Sequence, residues 1–198
     1  MAIGSFDMNQ PSGSIALRYN NVAVALHWLI AALVIAQIYV GWTFGDMDRG
    51  PGRTLWFDWH KALGFTILAL SILRLVWRLM NPPPPFPDAM PAWERMAARI
   101  SHLLFYVVLL GLPLTGWAYL STGSGAAETG AMTLFGIDNW PIIPGLPRAA
   151  HDGFEEAHEI LVKITYAMII LHVGAALKHQ FIDKRRELNR MPPLRGRE

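Results

Sequence analysis

Four long apolar runs, separated by polar or proline-rich stretches, set the pattern of this chain; they cover roughly 21–44, 57–79, 96–120 and 155–182. Each exceeds the ~20 residues that a helix needs to cross about 30 Å of hydrocarbon. The pattern predicts an all-α fold, a transmembrane four-helix bundle occupying 21–182. Asn81 followed by Pro82, Pro83, Pro84 and Pro85 ends the second span, because proline has no amide hydrogen to donate. Pro113 is expected to kink the third. The polar, Gly/Ser-rich start lacks the basic onset and short apolar core of a signal peptide. Residues 1–20 are therefore expected to form a flexible cytoplasmic segment, and 183–198 a basic cytoplasmic tail. The 121–157 connection, rich in Gly and Pro, is expected to lie across the outer surface as a loop.

The basic residues fall on one side of this pattern. Arg18 precedes the first span; Arg74, Arg78, Arg95 and Arg99 bracket the join of the second and third; Lys184, Arg185, Arg186, Arg190, Arg195 and Arg197 follow the fourth. The other two connections carry Asp46, Asp48, Asp58, Glu128, Asp138, Asp152, Glu155, Glu156 and Glu159 against Arg49, Arg53, Arg148 and Lys163. The positive-inside rule then places both termini in the cytoplasm. The basic tail reads as an orientation signal and a contact for lipid headgroups.

Composition sharpens the picture. At 53% hydrophobic and 16% charged, the chain carries less charge than a soluble domain of its size. Eight Trp and five Tyr suit two membrane interfaces. The absence of Cys excludes disulfides, thiolate metal sites, iron–sulfur clusters and thioether haem attachment. A net charge of +2 gives no reason to expect a nucleic-acid partner.

Ionisable residues inside a span are costly and are candidates for function. His158 and His172 lie fourteen residues apart in the fourth span. Fourteen steps of about 100° fall about 40° short of four turns, so the rings share a face, roughly 21 Å apart along the axis. His60 starts the second span at the outer level, and His27 lies near the inner start of the first. Depth thus pairs His60 with His158 on the outer side and His27 with His172 on the inner side. Facing helices that supply one imidazole each can fill both axial positions of a haem iron, which gives an electron carrier with no open site for oxygen. Zinc would need four ligands converging at one point, whereas these pairs stand about a bilayer apart.

Arg74, fourteen residues after His60, reaches the inner level on the same helix face. It either neutralises a haem propionate or snorkels to the headgroups, as Arg78 is expected to do. His102 reads as an interfacial histidine without a partner, with a propionate contact or a quinone carbonyl donor as alternatives. His179 and Lys178 read as interface residues, and His151 as a loop residue with no evident role. Lys61 is a surface lysine, a propionate contact or an attractor of anions. Gly64 and Gly174 offer gaps for a macrocycle or for close helix approach.

The chain resembles the bacterial cytochrome b561 family. The resemblance runs through Arg18-Tyr19, ALHWL around His27, HKALGFTILALSILRLVWRL from His60, LPLTGW, and HEILVKITYAMIILHVGAALKHQF from His158. It implies a four-helix inner-membrane protein with two haem b groups, ligated by His27 and His172 (inner) and by His60 and His158 (outer). It also implies electron transfer between the quinone pool and a periplasmic-side donor or acceptor, with superoxide oxidation coupled to ubiquinone reduction as one form. Arg49, Arg53, Lys61, Arg148 and Lys163 are the outer cations available to draw in an anion. The other readings are a haem-bearing anchor and relay subunit of a larger oxidoreductase and, more distantly, a haem-free transporter with histidine proton relays.

Overall fold

The computed structural model describes residues 19–86, 90–125 and 130–183. Arg18, Glu128 and the basic residues from Lys184 onward lie outside them, as does most of the segment 1–20. Four helices form the body: α1 (Asn21–Gly45), α2 (Pro51–Met80), α3 (Ala92–Thr122) and α4 (His151–Leu177). A 3₁₀ turn (Arg148–Ala150) leads into α4, and a π turn (Lys178–Ile182) ends it. All four are long and apolar enough to cross a membrane.

Local chemistry sets the boundaries. Asn20 caps α1, its Oδ1 accepting from the Ala23 amide at 2.8 Å and from Trp77 Nε1 at 3.0 Å. Pro51 opens α2, where its missing N–H costs nothing. That start lies six residues before the expected one, so the helix runs past the apolar segment at the end of the bundle called outer here, following the orientation expected from the charges; the opposite end is called inner. Asn81 stops α2 ahead of the proline run. Pro113 lies inside α3 without interrupting it.

α1 packs along α2, and α3 along α4; the seam between these helical hairpins is closed most extensively by α2 on α3. The interior is thin, holding Leu26, Ile30, Ile67, Leu68, Val108 and Ala118. Ile35, Ile170 and Leu171 are 67–72% exposed, as lipid-facing residues of a spanning bundle should be. At the inner end Lys178 Nζ stands 2.7 Å from Asp183 and 3.8 Å from the buried Glu94, tying the end of α4 to the start of α3. Lys178 and His179 hold Asp183 below the usual carboxylate range by hydrogen bonding. Both are therefore parts of a polar tie rather than simple interface residues.

The 121–157 connection is not irregular throughout. Within it β1 (Ala131–Leu134) pairs antiparallel with β2 (Ile137–Pro141). Phe135 and Gly136 turn the hairpin with φ of 52° and 72°, the two positive values of a type I′ turn. The hairpin is fastened to α2. Asp58 Oδ2 accepts from the Phe135 amide at 3.1 Å, and Lys61 Nζ donates to the Thr133 carbonyl at 2.6 Å. Asp58 and Lys61 also pair with each other at 2.6 Å, each side chain only 10% exposed. Lys61 is thus part of a structural lock and not a free surface cation. Trp117 Nε1 donates to the Pro141 carbonyl at 3.0 Å, and Trp140 packs on Phe65, which closes the cover over the outer end.

Asp58→Ala strips Lys61 of its counter-charge and the Phe135 amide of its acceptor. The expected loss is about 3 kcal/mol, read as a lowered unfolding temperature in detergent and faster proteolysis at the hairpin. Breaking the exposed pair of Lys163 with Glu159, 3.8 Å apart, should cost under about 0.5 kcal/mol in the same assay.

Candidate functional site

The imidazoles meet across the seam between the two helical hairpins. His60 on α2 and His158 on α4 have ring centroids 6.2 Å apart at 72°. His27 on α1 and His172 on α4 have centroids 6.4 Å apart at 67°. Imidazoles on opposite sides of one metal ion, with bonds of about 2 Å, place their centroids roughly 6 Å apart. The donor set therefore fits an ion with two axial nitrogen ligands.

At the outer level the two rings are held differently. His158 Nδ1 lies 2.9 Å from the Leu112 carbonyl and 3.2 Å from Thr115 Oγ1. A proton on Nδ1 donated to that carbonyl leaves Nε2 as a free lone pair, the usual arrangement behind a metal-bound histidine. Behind His158 stands Gly116, where a Cβ would come within 3.2 Å of the ring. Gly41 plays a looser version of the same part beside His60, at 3.7 Å. His60 Nδ1 is buried with no hydrogen-bond partner among the described residues. On its other side Gln37 Nε2 stands 3.3 Å from His60 Nε2 and donates to the His60 carbonyl at 3.0 Å. Phe44 and Phe57 wall the ring, at 5.0 and 6.4 Å.

The inner level has a different character. Arg74 Nη1 lies 3.0 Å from His27 Nδ1. His102 on α3, which depth alone leaves without a partner, stands 6.3 Å from the ring of His172, so His172 has two imidazole neighbours at the same distance. Phe105 packs on the same ring at 5.1 Å.

A common spacing underlies both levels. Each helix presents two residues fourteen apart: His27 and Gly41, His60 and Arg74, His102 and Gly116, His158 and His172. The outer level collects two imidazoles and two glycines. The inner level collects three imidazoles and a guanidinium.

Other histidines and glycines fall elsewhere. His151 begins α4 rather than lying in a loop; its Nδ1 is 3.0 Å from Thr122 Oγ1 and its ring stacks on Tyr119. Gly64 faces Gln37, and a Cβ at Gly174 would meet nothing within 4 Å. Gln37, Thr115, Gly41 and Gly116 were not singled out from the sequence. Gln37 carried a usable signal, because an amide in the middle of an apolar span is costly unless it has a partner.

Comparison with known proteins agrees with this architecture. The sequence profile described as "Prokaryotic cytochrome b561" matches residues 18–193. Cytochrome b561 homolog 2 of Escherichia coli (strain K12) is 30% identical over 179 residues, which cover 88% of this chain and 90% of the relative. Cytochrome b561 homolog 1 of the same strain is 29% identical over 181 residues, 90% of this chain and 98% of the relative. A protein of Yersinia pestis named "Probable superoxide oxidase CybB" is 28% identical over 184 residues, 89% of this chain and 96% of the relative. With the match running from ahead of the first span to beyond the last, the chain belongs to the prokaryotic cytochrome b561 family, multi-pass electron-transfer proteins of the bacterial inner membrane that bind haem b.

Proposed function

We propose that this protein carries electrons across the membrane from a donor on the outer side to a quinone, through two haem b groups. His60 and His158 would hold the outer one, and His27 and His172 the inner one. The observation that carries this reading is the meeting of imidazoles from opposite helical hairpins at two levels. Haem iron held by two nitrogens supplies reversible one-electron chemistry without an open coordination site. The residues do the rest. Leu112 and Thr115 fix the tautomer of His158. Gly116 and Gly41 keep room beside the outer rings. Gln37 must turn aside for His60 to offer Nε2. Arg74 as placed donates to His27 Nδ1, since a guanidinium can only donate. A proton on that nitrogen, with Nε2 free for a metal, sends Arg74 elsewhere at the same level, where a carboxylate of the ligand suits it.

The contrast between levels gives the flow a direction. A fixed cation beside a redox centre favours its reduced state by roughly 1–2 kcal/mol in a partly polarisable interior. Arg74 at the inner level is free to offset a carboxylate of the bound ligand there, while the nearby outer ammonium of Lys61 is already neutralised by Asp58. With haem held at both levels, electrons would run downhill from the outer pair to the inner pair. With superoxide as donor, each anion gives up one electron and leaves as O₂; two such electrons and two protons convert one quinone to its quinol. Arg53 is the outer cation best placed to guide the anion. Its guanidinium lies 5.6 Å over Phe44, whose ring packs on His60.

Replacing either outer histidine by Ala should abolish one low-spin haem signal and spare the other, and replacing His27 or His172 should do the converse. Two intact signals in all four variants would overturn the ligand assignment. His102→Ala should retain both haems; loss of one would transfer the inner ligand role from His27 to His102. Gly116→Val should push the His158 ring aside and broaden or shift only the outer signal. In a redox titration the inner centre should reduce first, and Arg74→Gln should lower its midpoint so that the two centres titrate closer together. Stopped-flow mixing with superoxide and with a quinol identifies the donor: reduction by superoxide faster than by quinol supports the stated direction.

A further inference from the structure

At the end of the bundle where α2 stops and α3 starts, a groove of about 630 Å³ opens to the surface. It is lined by Arg78, Arg95, Arg99 and His102 together with Phe86 and Met96, and no carboxylate lines it among the described residues. None of the three guanidiniums forms an ion pair among those residues. Aromatic rings set two of them in place: Arg78 lies 5.9 Å over Tyr106, and Arg99 lies 5.8 Å over Phe86. The Tyr106 hydroxyl is buried with no partner among the described residues, in a small cavity that Arg78 also lines. Three positive charges in one concavity, two of them held by aromatic rings, call for an anion with several acceptor oxygens.

The surroundings narrow the choice. Leu79 and Met80 at the end of α2 are 74% and 72% exposed, and Met96 and Ile100 on α3 are 61% and 50% exposed. The groove is thus basic inside and apolar around, at the level where a spanning bundle meets the headgroups. We propose that it seats the phosphodiester headgroup of an anionic phospholipid, with the acyl chains running down the apolar residues. Inorganic phosphate would satisfy the arginines and leave the rim unused. A neutral ring compound would leave three cations unmatched. The groove borders the inner level through His102, but the proposal does not rest on the electron path.

The test uses the haem-loaded, full-length protein. It is reconstituted in bilayers of phosphatidylcholine alone or with one-fifth phosphatidylglycerol, released into detergent, and its retained lipid is measured by native mass spectrometry. Phosphatidylglycerol should be retained about tenfold over its share of the bilayer, an enrichment that needs no variant to observe. Arg95→Gln with Arg99→Gln should abolish that enrichment and bring retention down to the lipid's share of the bilayer, since a loss of roughly fivefold per arginine exceeds it. Arg148→Gln, at the opposite end, should leave it unchanged. Equal retention of the two lipids overturns the proposal. So does displacement of phosphatidylglycerol by millimolar inorganic phosphate, which marks a soluble-anion site, or by a short-chain quinone. Loss of a haem absorption band in the double variant also overturns it, since the arginines would then be holding propionates.

Discussion

An imidazole inside hydrocarbon has to find partners for its ring nitrogens, and in this bundle two histidine pairs, His27 with His172 and His60 with His158, join one helical hairpin to the other. Lipid provides no hydrophobic force to press helices together. The first hairpin, α1 with α2, therefore needs specific contacts to hold the second, α3 with α4. Backbone packing supplies them between α2 and α3. Towards α4, His27 and His60 reach across to His172 and His158, and Trp42 Nε1 donates to the Tyr166 hydroxyl at 3.1 Å. A group clasped between those rings would staple the two halves, and its retention and the tertiary stability would then be one property.

The same four-turn interval, repeated in every helix, produces two levels of opposite character from a single geometry. At the outer level small residues stand where the inner level has His27 and His102, which leaves space beside His60 and His158. At the inner level imidazoles take the places of both glycines, and the guanidinium of Arg74 takes the place of His60. Room favours entry of a flat ligand, and fixed charge tunes what it does once held. The division of labour is set by four side chains, Gly41, Gly116, Arg74 and His102, none of which has to touch iron.

Much of this was legible in the chain itself. The spans follow from length and hydropathy, and the depth pairing of His27 with His172 and His60 with His158 follows from helical rise alone. The position of Arg74 at the inner level follows in the same way. What escaped the sequence depends on rotation between helices rather than on depth. His102 shares its depth with His172, but nothing in α3 states that it turns towards α4. Gly116 is an ordinary small residue until His158 is seen against it. The hairpin was missed because its turn is Phe135-Gly136 and not the Asn-Gly or Asp-Gly pair that announces a type I′ turn. Lys61 was misread because its partners, Asp58 and Thr133, come from one turn earlier in its own helix and from a distant strand.

The lock at Asp58 and Lys61 also bears on how the chain is made. These two residues leave the ribosome together, three positions apart, long before β1 and β2 exist. Their mutual neutralisation lowers the cost of passing an acid and an amine through the translocation channel with the second span. Only after the third helix has been threaded does the hairpin arrive, bringing the Phe135 amide and the Thr133 carbonyl to a pair already in place. Assembly of the outer cover is thereby deferred until most of the bundle is in the bilayer, and a chain arrested earlier would carry no unpaired charge at that spot.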